Sequence, residues 1–263
     1  VVESGGKERL VASPQNPDRL IQEALIPILT KAIEPLLSPA VHAYRKGRSA
    51  ATAAWAASQA VAREERHISK LDIRDYFPSI DLRRLEALTA DLLPEDAVRL
   101  IFAFLRAPRR LNERLVPCEN GLPLGQPLSP ALANLYLVGV DRAMASHPVT
   151  YLRYSDDLLI AATSASDVLA AEATLIAHLS ALGLQLAAEK TDRFEAGDEP
   201  FVYLGHAVGN GVVYEKLSGD RERRLAQAPP GHAGAPSTTG ASPTKDASEP
   251  ARTLYLTEHG VFV

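Results

Sequence analysis

Apolar and polar positions follow helical and strand periods in turn from residue 15 to about residue 226, with short polar turns between them. Apolar residues three and four apart predict helices, and short apolar runs between turn signals predict strands. The predicted helices cover residues 19–33, 49–65, 94–106, 131–145 and 166–182, with one more that begins at Asp81. The predicted strands cover residues 67–73, 149–154 and 158–162, with short strands near residues 184, 194, 203 and 212. This alternation predicts one α/β or α+β unit.

Two of these helices have a residue at the start that suits a helix cap. Asp18 precedes the first helix and Ser49 precedes an alanine-rich one, and both residue types accept hydrogen bonds from the first backbone N–H groups of a helix. Leu20, Ile28 and their helical neighbours predict the buried face of the first helix. Pro27 is expected to bend that helix, because proline removes a backbone donor.

The pattern changes after residue 226. Residues 227–251 are mostly Ala, Pro, Gly, Ser and Thr, which bury too little apolar surface to fold, so they are predicted to be a linker. Residues 252–263 alternate again, as in a hairpin, and a lone hairpin is marginally stable. We therefore expect them to open a further domain. The only methionine is Met144 and the chain starts at Val1, so we expect a piece of a longer polypeptide.

The composition bounds the class of protein. The 263 residues are 46% hydrophobic and 23% charged, which excludes disorder throughout, and no apolar run is long enough to cross a bilayer. Cys118 is the only cysteine, so an internal disulfide and a thiolate metal site are excluded, which favours the cytoplasm. The net charge of -4 does not by itself indicate a nucleic-acid binder.

Acidic residues interrupt the apolar strands at two places. Asp72 lies at the edge of one strand, and Asp156 and Asp157 lie at the tip of the predicted hairpin. If these strands are neighbours, the carboxylates converge, and two charges about 4 Å apart repel by about 4 kcal/mol at an effective dielectric constant of 20. A cation is then required, and oxygen ligands without His or Cys favour Mg²⁺ or Mn²⁺.

Such a cluster is typical of two-metal phosphoryl transfer. Asp72 and Asp156 are assigned as direct ligands, and Asp157 as a ligand or as a residue that supports the ligands. For an isolated Ser-Asp-Asp sequence, the alternative is a solvated turn.

The order of several motifs along the chain resembles the reverse transcriptases of the group II intron-like bacterial lineage. The longest are LDIRDYFPSI at 71–80, GLPLGQPLSPALANLYL at 121–137 and YLRYSDDLLI at 151–160, and others lie at 18–37, 44–50, 183–191 and 201–206. The resemblance covers about residues 15–210. It implies an α+β right-hand polymerase with fingers and palm, and a thumb that is short or absent.

The same resemblance implies an RNA-directed DNA polymerase, a nucleotidyltransferase that adds dNTPs to a primer 3′-OH. An RNA template, a DNA or RNA primer and dNTPs are the implied partners, without a membrane. The implied cofactor is a pair of Mg²⁺ ions, or Mn²⁺ in their place.

The resemblance also implies roles for single residues. Asp72, Asp156 and Asp157 match the catalytic, metal-binding aspartates. The nucleotide-binding positions are Arg45, Arg48, Ile73, Phe77, Leu124, Gly125, Gln126 and Lys190. The primer grip consists of Tyr203, Leu204, Gly205 and His206.

Three of these roles are more specific. Phe77 matches the ring under the incoming sugar, where it would exclude a ribose 2′-OH. Arg45 and Arg48 match residues of the fingers that meet the triphosphate, and Lys190 matches a lysine near it. From the residues alone, core packing for Phe77 and a solvated surface for the three cations are the alternatives.

The sequence departs from the family pattern in three places. Leu124 stands where most relatives have Gln, which predicts altered fidelity, and Gln126 stands where a small residue is commoner. Ser155 stands where Ala, Val or Met is more familiar, a change that we expect to be tolerated. Few residues remain after the primer grip for a thumb.

The implied division runs along the whole chain. Residues 1–70 form fingers and N-terminal helices, 71–214 the palm with a fingers segment included, 215–226 a thumb remnant, 227–251 the linker and 252–263 the start of a truncated integrase-like domain. The last segment resembles the opening of the CRISPR adaptation integrase. That resemblance implies spacer acquisition from RNA, with the integrase in cis and other adaptation-complex subunits as partners.

Two alternatives remain open. One is a retroelement or other defence-type reverse transcriptase with an unrelated tail, and the other is a catalytically silent module that binds nucleic acid or docks a partner. The candidate contacts to a nucleic-acid backbone are Arg106, Arg109, Arg110, Arg114 and the cluster at 221–224.

Overall fold

The computed structural model describes residues 2–4, 7–9, 11, 14–111, 114–118 and 120–216. The predicted linker, the predicted integrase-like segment and all but the first two residues of the thumb remnant lie outside the described residues. The helices are α1 (Asn16–Ile33), α2 (Ala50–Ala62), α3 (Tyr76–Ser79), α4 (Leu82–Ala90), α5 (Glu95–Arg106), α6 (Ser129–Tyr136), α7 (Val138–Met144) and α8 (Ala165–Ala181). The strands are β1 (Val2–Ser4), β2 (Lys7–Arg9), β3 (His67–Asp72), β4 (Arg109–Leu111), β5 (Arg114–Val116), β6 (Thr150–Tyr154), β7 (Asp157–Ala162), β8 (Asp192–Glu195), β9 (Phe201–Tyr203), β10 (His206–Gly209) and β11 (Val212–Lys216).

A four-stranded antiparallel sheet carries the acidic residues. Its strand order is β6-β7-β3-β8, so the hairpin of β6 and β7 lies directly beside β3. The prediction that the two acid-bearing regions are neighbours is confirmed. A second, three-stranded sheet has the order β11-β10-β9.

Both faces of the four-stranded sheet are covered, and β7 shows why. Successive side chains of a strand point to opposite faces, and every residue of β7 after Asp157 is buried. Leu158 and Ile160 belong to the larger apolar core, which includes residues of α1 and α4 to α8. Leu159 and Ala161 belong to a smaller core with residues of α2, β9 and β10. The apolar run of the sequence is therefore a strand buried on both sides.

Local capping signals place three helix starts. The Ser49 side chain accepts from the backbone of Thr52, whose hydroxyl in turn accepts from the backbone N–H of Ser49, so α2 begins with the predicted cap. The Asp81 carboxylate accepts from the first N–H groups of α4. Ser164 caps α8 in the same way.

The first helix differs from its prediction. It begins at Asn16 rather than after Asp18, with Pro17 in the first turn, and it continues through Pro27. Leu20 is 67% exposed and Ile28 is 51% exposed, so the predicted apolar face is wrong at these positions. Gln22 is buried instead, because its amide donates to the Gln126 side chain.

Other predicted helices and strands also differ from those in the structure. The helix predicted over residues 131–145 is two helices, α6 and α7, that meet at Leu137. The strand predicted near residue 184 is only a bridge between Ile73 and Leu186. The sequence prediction also missed α3 and the hairpin of β4 and β5. In the part of the chain that the structure describes, no helix has the length and apolar character needed to cross a membrane.

Candidate active site

The hairpin turn between β6 and β7 places two acidic residues at the end of β3. Tyr154 pairs with Asp157 across the hairpin, so Ser155 and Asp156 form the turn. Ser155 has a φ of 61°, in the left-handed region that lets a chain reverse within two residues. The Asp156 carbonyl accepts a hydrogen bond of 3.1 Å from the Ile73 backbone, which holds the turn against the chain that follows β3.

Three carboxylates surround this turn. Asp72 is opposite Asp157 in the register of β3 and β7, and it is only 8% exposed. Burial raises the pKa of Asp157 to about 6, with further contributions from the charges of Asp156 and Asp72. Burial also raises the pKa of Asp156, and the charge of Asp72 adds to it. The site therefore concentrates negative charge that favours a cation.

Lys190 supplies one positive charge. Its Nζ donates to Asp72 Oδ2 at 2.7 Å, and this hydrogen bond raises the pKa of the lysine. Lys190 is the last residue of a 3₁₀ turn, Ala188–Lys190, that precedes β8. Half of its side chain is exposed, so it is accessible from the adjacent cavity.

The carboxylates fit a hard divalent ion by their chemistry. All three offer oxygen ligands, and Mg²⁺ is typically held by one or two carboxylates together with substrate phosphates. In the side-chain positions seen here, the described residues contain no ready-made group of three or more His, Cys, Asp or Glu ligands. Asp72 is instead bonded to Lys190, so the side chains would rearrange around an ion.

A cavity of about 540 Å³ opens beside these residues, and we call it the carboxylate cavity. It is lined by Lys70, Leu71, Asp72, Asp157, Leu158, Lys190, Val202, Tyr203, Leu204 and Gly205. Three of the four predicted primer-grip residues therefore share a cavity with two of the aspartates and with Lys190.

The four predicted primer-grip residues lie at the tight turn between β9 and β10. Leu204 and Gly205 both have positive φ, at 51° and 75°. The Tyr203 hydroxyl is buried and has no hydrogen-bond partner among the described residues, and burial raises the pKa of this phenol, as does the charge of Asp157. His206 is buried, with Nδ1 at 3.0 Å from the Leu204 carbonyl. Tyr203, Leu204 and Gly205 all line the carboxylate cavity.

A second cavity, of about 360 Å³, contains most of the other predicted nucleotide-binding residues, and we call it the Phe77 cavity. It is lined by Arg19, Glu23, Ile26, Tyr44, Phe77, Leu124, Gly125, Gln126, Pro127, Ser129 and Pro130. Phe77 and Tyr76 are in edge-to-face contact, with ring centroids 5.6 Å apart. Phe77 is thus half-buried and faces the loop that carries Leu124 and Gln126.

Backbone contacts fix that loop against α3. Leu122 donates to the Phe77 carbonyl at 2.7 Å, and Gly121 donates to the Ile80 carbonyl at 2.9 Å. Gly121 has a φ of 80°, and a Cβ there would lie 2.7 Å from the Pro78 carbonyl oxygen. Only glycine allows this approach without a shift of the backbone.

Three predicted nucleotide-binding residues do not line either cavity. Arg45 donates to Glu34 and to the carbonyls of Ser38 and Val41, and its side chain is only 9% exposed. Arg48 donates to the Pro39 carbonyl. Ile73 is 1% exposed and offers only its backbone.

The sequence prediction missed a buried charge under the turn. Arg153 is fully buried and forms a two-pronged ion pair with Asp141, at 2.8 and 2.6 Å. It also donates to Asn134 Oδ1 at 2.9 Å, and Tyr151 donates to Asp141 at 3.2 Å. Burial opposes the charged form, but the charge of Asp141 and its hydrogen bonds raise the pKa of Arg153. A lone arginine inside the apolar run YLRYSDD was the available signal.

The chain before Arg45 is docked on this buried pair. The Arg153 backbone N–H donates to the Ala40 carbonyl and its carbonyl accepts from His42, both at 2.8 Å. Asn134 donates to the Ala43 carbonyl at 2.9 Å. Burial, together with the charges of Arg48 and Arg45, lowers the pKa of His42 to about 4.

Comparison with known proteins identifies relatives for most of the chain. The family described as "Reverse transcriptase (RNA-dependent DNA polymerase)" matches residues 2–208. The retron Mx65 reverse transcriptase of Myxococcus xanthus is 29% identical over 203 residues, which cover 73% of this chain and 46% of that protein. The group II intron-encoded protein LtrA of Lactococcus lactis subsp. cremoris is 30% identical over 155 residues, 57% of this chain and 25% of that protein. The chain thus spans less than half the length of these relatives.

Solved structures agree at the level of the fold. Apo telomerase from Candida tropicalis, truncated from its C-terminal domain, superposes with a TM-score of 0.53 at 13% identity, over 78% of this chain and 46% of that one. Telomerase from Candida albicans, in complex with a fragment of telomeric RNA, gives 0.55 at 12% identity, over 78% of this chain and 38% of that one. The predicted α+β fold with fingers and palm is confirmed.

Proposed function

The chain belongs to the reverse transcriptase family, and on that premise we propose that it is an RNA-directed DNA polymerase. It adds dNTPs to the 3′-OH of a DNA or RNA primer, with an RNA template, and pyrophosphate leaves. The observation that carries the proposal is the register of β3 and β7, in which Asp72 is opposite Asp157 at a cavity that also contains Lys190.

We propose that Asp72, Asp156 and Asp157 hold two Mg²⁺ ions, or Mn²⁺ in their place. When bound, such ions activate the attacking hydroxyl and stabilise the leaving oxygen. Lys190 is close enough to Asp72 to balance its charge, and its exposed Nζ would neutralise the triphosphate or donate a proton to the leaving group. Most of the catalysis is positioning and charge neutralisation.

The two cavities divide the substrates between them in this proposal. Phe77, Leu124, Gly125 and Gln126 hold the incoming nucleotide, and the Phe77 ring rejects a 2′-OH. The turn at Leu204 and Gly205 holds the primer end through its backbone. Arg45 and Arg48 reach the triphosphate only by exchanging their present partners. The division into fingers (1–70) and palm (71–214) is part of the same proposal.

The biological setting is a finer proposal. Spacer acquisition from RNA in a CRISPR adaptation complex is supported only by the sequence of residues 252–263. The similarity to a retron reverse transcriptase and to a group II intron protein favours the alternative, a retroelement or other defence-type enzyme. Sequencing of the CRISPR array in cells that express the chain would distinguish the two settings. New spacers derived from RNA are expected only if the chain acts in CRISPR adaptation, and they should be absent with Asp156→Ala.

Primer extension tests the chemistry. On a poly(rA)/oligo(dT) substrate with Mg²⁺, the chain is expected to extend the primer, and Asp156→Ala should reduce the rate at least about 100-fold because a metal ligand is lost. Asp96→Ala is the matched control, since the Asp96 side chain is 87% exposed on α5 and far from the carboxylates in sequence. Activity that survives in Asp156→Ala would refute the catalytic assignment. Inactivity of the unsubstituted chain, with RNA binding retained, would favour the silent binding module.

A further inference from the structure

Two hydroxyl groups connect the Phe77 cavity with the carboxylate turn. Tyr44 Oη donates to Ser155 Oγ at 3.2 Å, although the two residues are 111 positions apart in the chain. Tyr44 lines the Phe77 cavity, and Ser155 immediately precedes Asp156 in the turn between β6 and β7. A single hydrogen bond thus joins the wall of one cavity to the acidic turn beside the other.

Both residues have an unusual backbone conformation. The φ of Tyr44 is 60° and that of Ser155 is 61°, a left-handed region that residues other than glycine seldom occupy. Such conformations persist where the surroundings hold them, and they are concentrated at functional sites. Here the surroundings are the hydrogen bonds between the segment 40–43 and Arg153 and Asn134.

The surroundings of Tyr44 favour its protonated hydroxyl, which is the form that can donate a hydrogen bond. Burial raises the pKa of Tyr44, and the charges of Asp156 and Asp157 contribute in the same direction. Ser155 is only 6% exposed, whereas Tyr44 is 47% exposed. The bond therefore lies at the boundary between the open cavity and the buried turn.

We propose that Tyr44 and Ser155 are a positioning pair, which fixes the Phe77 cavity relative to the turn that carries Asp156 and Asp157. The proposal rests on the proposed function, since it concerns the alignment of a nucleotide with the metal-binding carboxylates. Displacement of reacting groups by about 1 Å can cost about 100-fold in rate. A hydrogen bond that sets the distance between the two sites therefore acts mainly on kcat.

A double-mutant cycle in the full chain tests the pair. The variants are Tyr44→Phe, Ser155→Ala and their combination, with Ser146→Ala as the control, because the exposed Ser146 hydroxyl donates to the Ala143 carbonyl at the end of its own helix. Primer extension gives kcat and KM for the dNTP, and calorimetric titration with Mn²⁺ alone, without nucleotide, gives the metal affinity. Thermal unfolding of each variant gives its stability.

Tyr44→Phe is expected to lower kcat by about 3- to 10-fold, as for the loss of one hydrogen bond, with KM changed less than about 2-fold. Ser155→Ala should lower kcat at least as much, because the Ser155 side chain also hydrogen-bonds Asp156. The double variant should be no slower than the slower single variant, because both changes remove the same bond. Mn²⁺ affinity should fall by about 2- to 5-fold in the same non-additive way. The Ser146→Ala variant should match the unsubstituted chain in all readouts.

Two results would overturn the positioning role: effects of the two changes that multiply, or variants that unfold earlier with unchanged kcat and Mn²⁺ affinity. A chain that binds Mn²⁺ but does not extend the primer would contradict the proposed function instead. In that case, the double-mutant cycle measured by Mn²⁺ affinity would still test the positioning role of Tyr44 and Ser155.

Discussion

Two ion pairs adjoin the turn at Ser155 and Asp156, and they differ in burial rather than in length. Arg153 and Asp141 are 2.6 Å apart, with side chains 0% and 1% exposed. Lys190 and Asp72 are 2.7 Å apart, with side chains 50% and 12% exposed. The buried pair has further hydrogen bonds to Asn134 and Tyr151, whereas the exposed lysine has no second hydrogen bond recorded among the described residues.

This difference separates a structural contact from an exchangeable one. A buried charge without its partner is strongly destabilising, so neither Arg153 nor Asp141 can exchange its partner without a large loss of stability. Lys190 is half exposed, so its ammonium group can return to water when it leaves Asp72, and a cation that arrives at the buried Asp72 then replaces the positive charge of the lysine. The pair of Arg153 and Asp141 is therefore a fixed contact beneath the turn, whereas Lys190 at the carboxylate cavity can exchange its partner.

The largest effect is expected when the buried pair is broken. Arg153→Met leaves Asp141 buried without its partner and should lower the free energy of unfolding by about 3–5 kcal/mol, measured by urea denaturation. Arg74→Met is the control, because Arg74 forms an equally short pair with Glu189, at 2.6 Å, in which both side chains are exposed, at 48% and 58%, so its loss should be smaller. Equal losses in the two variants would contradict the comparison.

A smaller effect concerns acid, through the segment docked on Arg153. The pKa of His42 is lowered from 6.5 to about 4, so the unfolded chain binds a proton that the folded chain does not. The associated stability is present above pH 6.5 and is lost as the pH falls from 6.5 towards 4, by about 2 kcal/mol after allowance for solvent screening. When the pH is lowered from 7 to 4.5, the free energy of unfolding should therefore fall less in His42→Gln than in the unsubstituted chain. Identical pH slopes would show that His42 is not buried in its neutral form.

The smallest effect on stability is expected at the pair of Lys190 and Asp72. With Mg²⁺ present, Lys190→Ala should change the free energy of unfolding by less than about 1 kcal/mol, because the ion supplies positive charge at Asp72, yet it should slow primer extension by about 10-fold or more. Arg74→Ala is the matched control, since Arg74 bonds Glu189 of the same 3₁₀ turn at 2.6 Å and is similarly exposed. It should leave both quantities nearly unchanged. A stability loss for Lys190→Ala as large as that for Arg153→Met would remove the distinction between the two pairs.

The sequence predicted what depends on neighbours in the chain. Ser49 and Thr52 cap a helix from three positions apart, and the hairpin around Asp156 and Asp157 follows from two apolar runs and a polar turn. The convergence of Asp72 on this turn was also predictable, because the hairpin strands are strongly apolar and β3 carries Ile68 and Leu71, which likewise require burial.

What the sequence did not predict depends on partners far along the chain. The partner of the Tyr44 hydroxyl is 111 positions away, and no local pattern indicates it. The face of α1 was mistaken at Leu20 because the Gln22 amide is buried against Gln126, so a polar residue takes a position that periodicity assigns to an apolar one. Arg153 carried a signal, a charge in an apolar strand, but its role depends on the position of Asp141 on α7, which the sequence pattern does not give.

The contact between Gly121 and Pro78 has a consequence for how this chain can vary. The loop and α3 touch through backbone atoms, so the separation of Phe77 from Leu124 does not depend on the size of any side chain between them. Substitutions at Leu124 or Phe77 can then reshape the cavity while its two walls stay where they are. Over generations, the shape of the Phe77 cavity can change through such exchanges, provided that position 121 itself does not change.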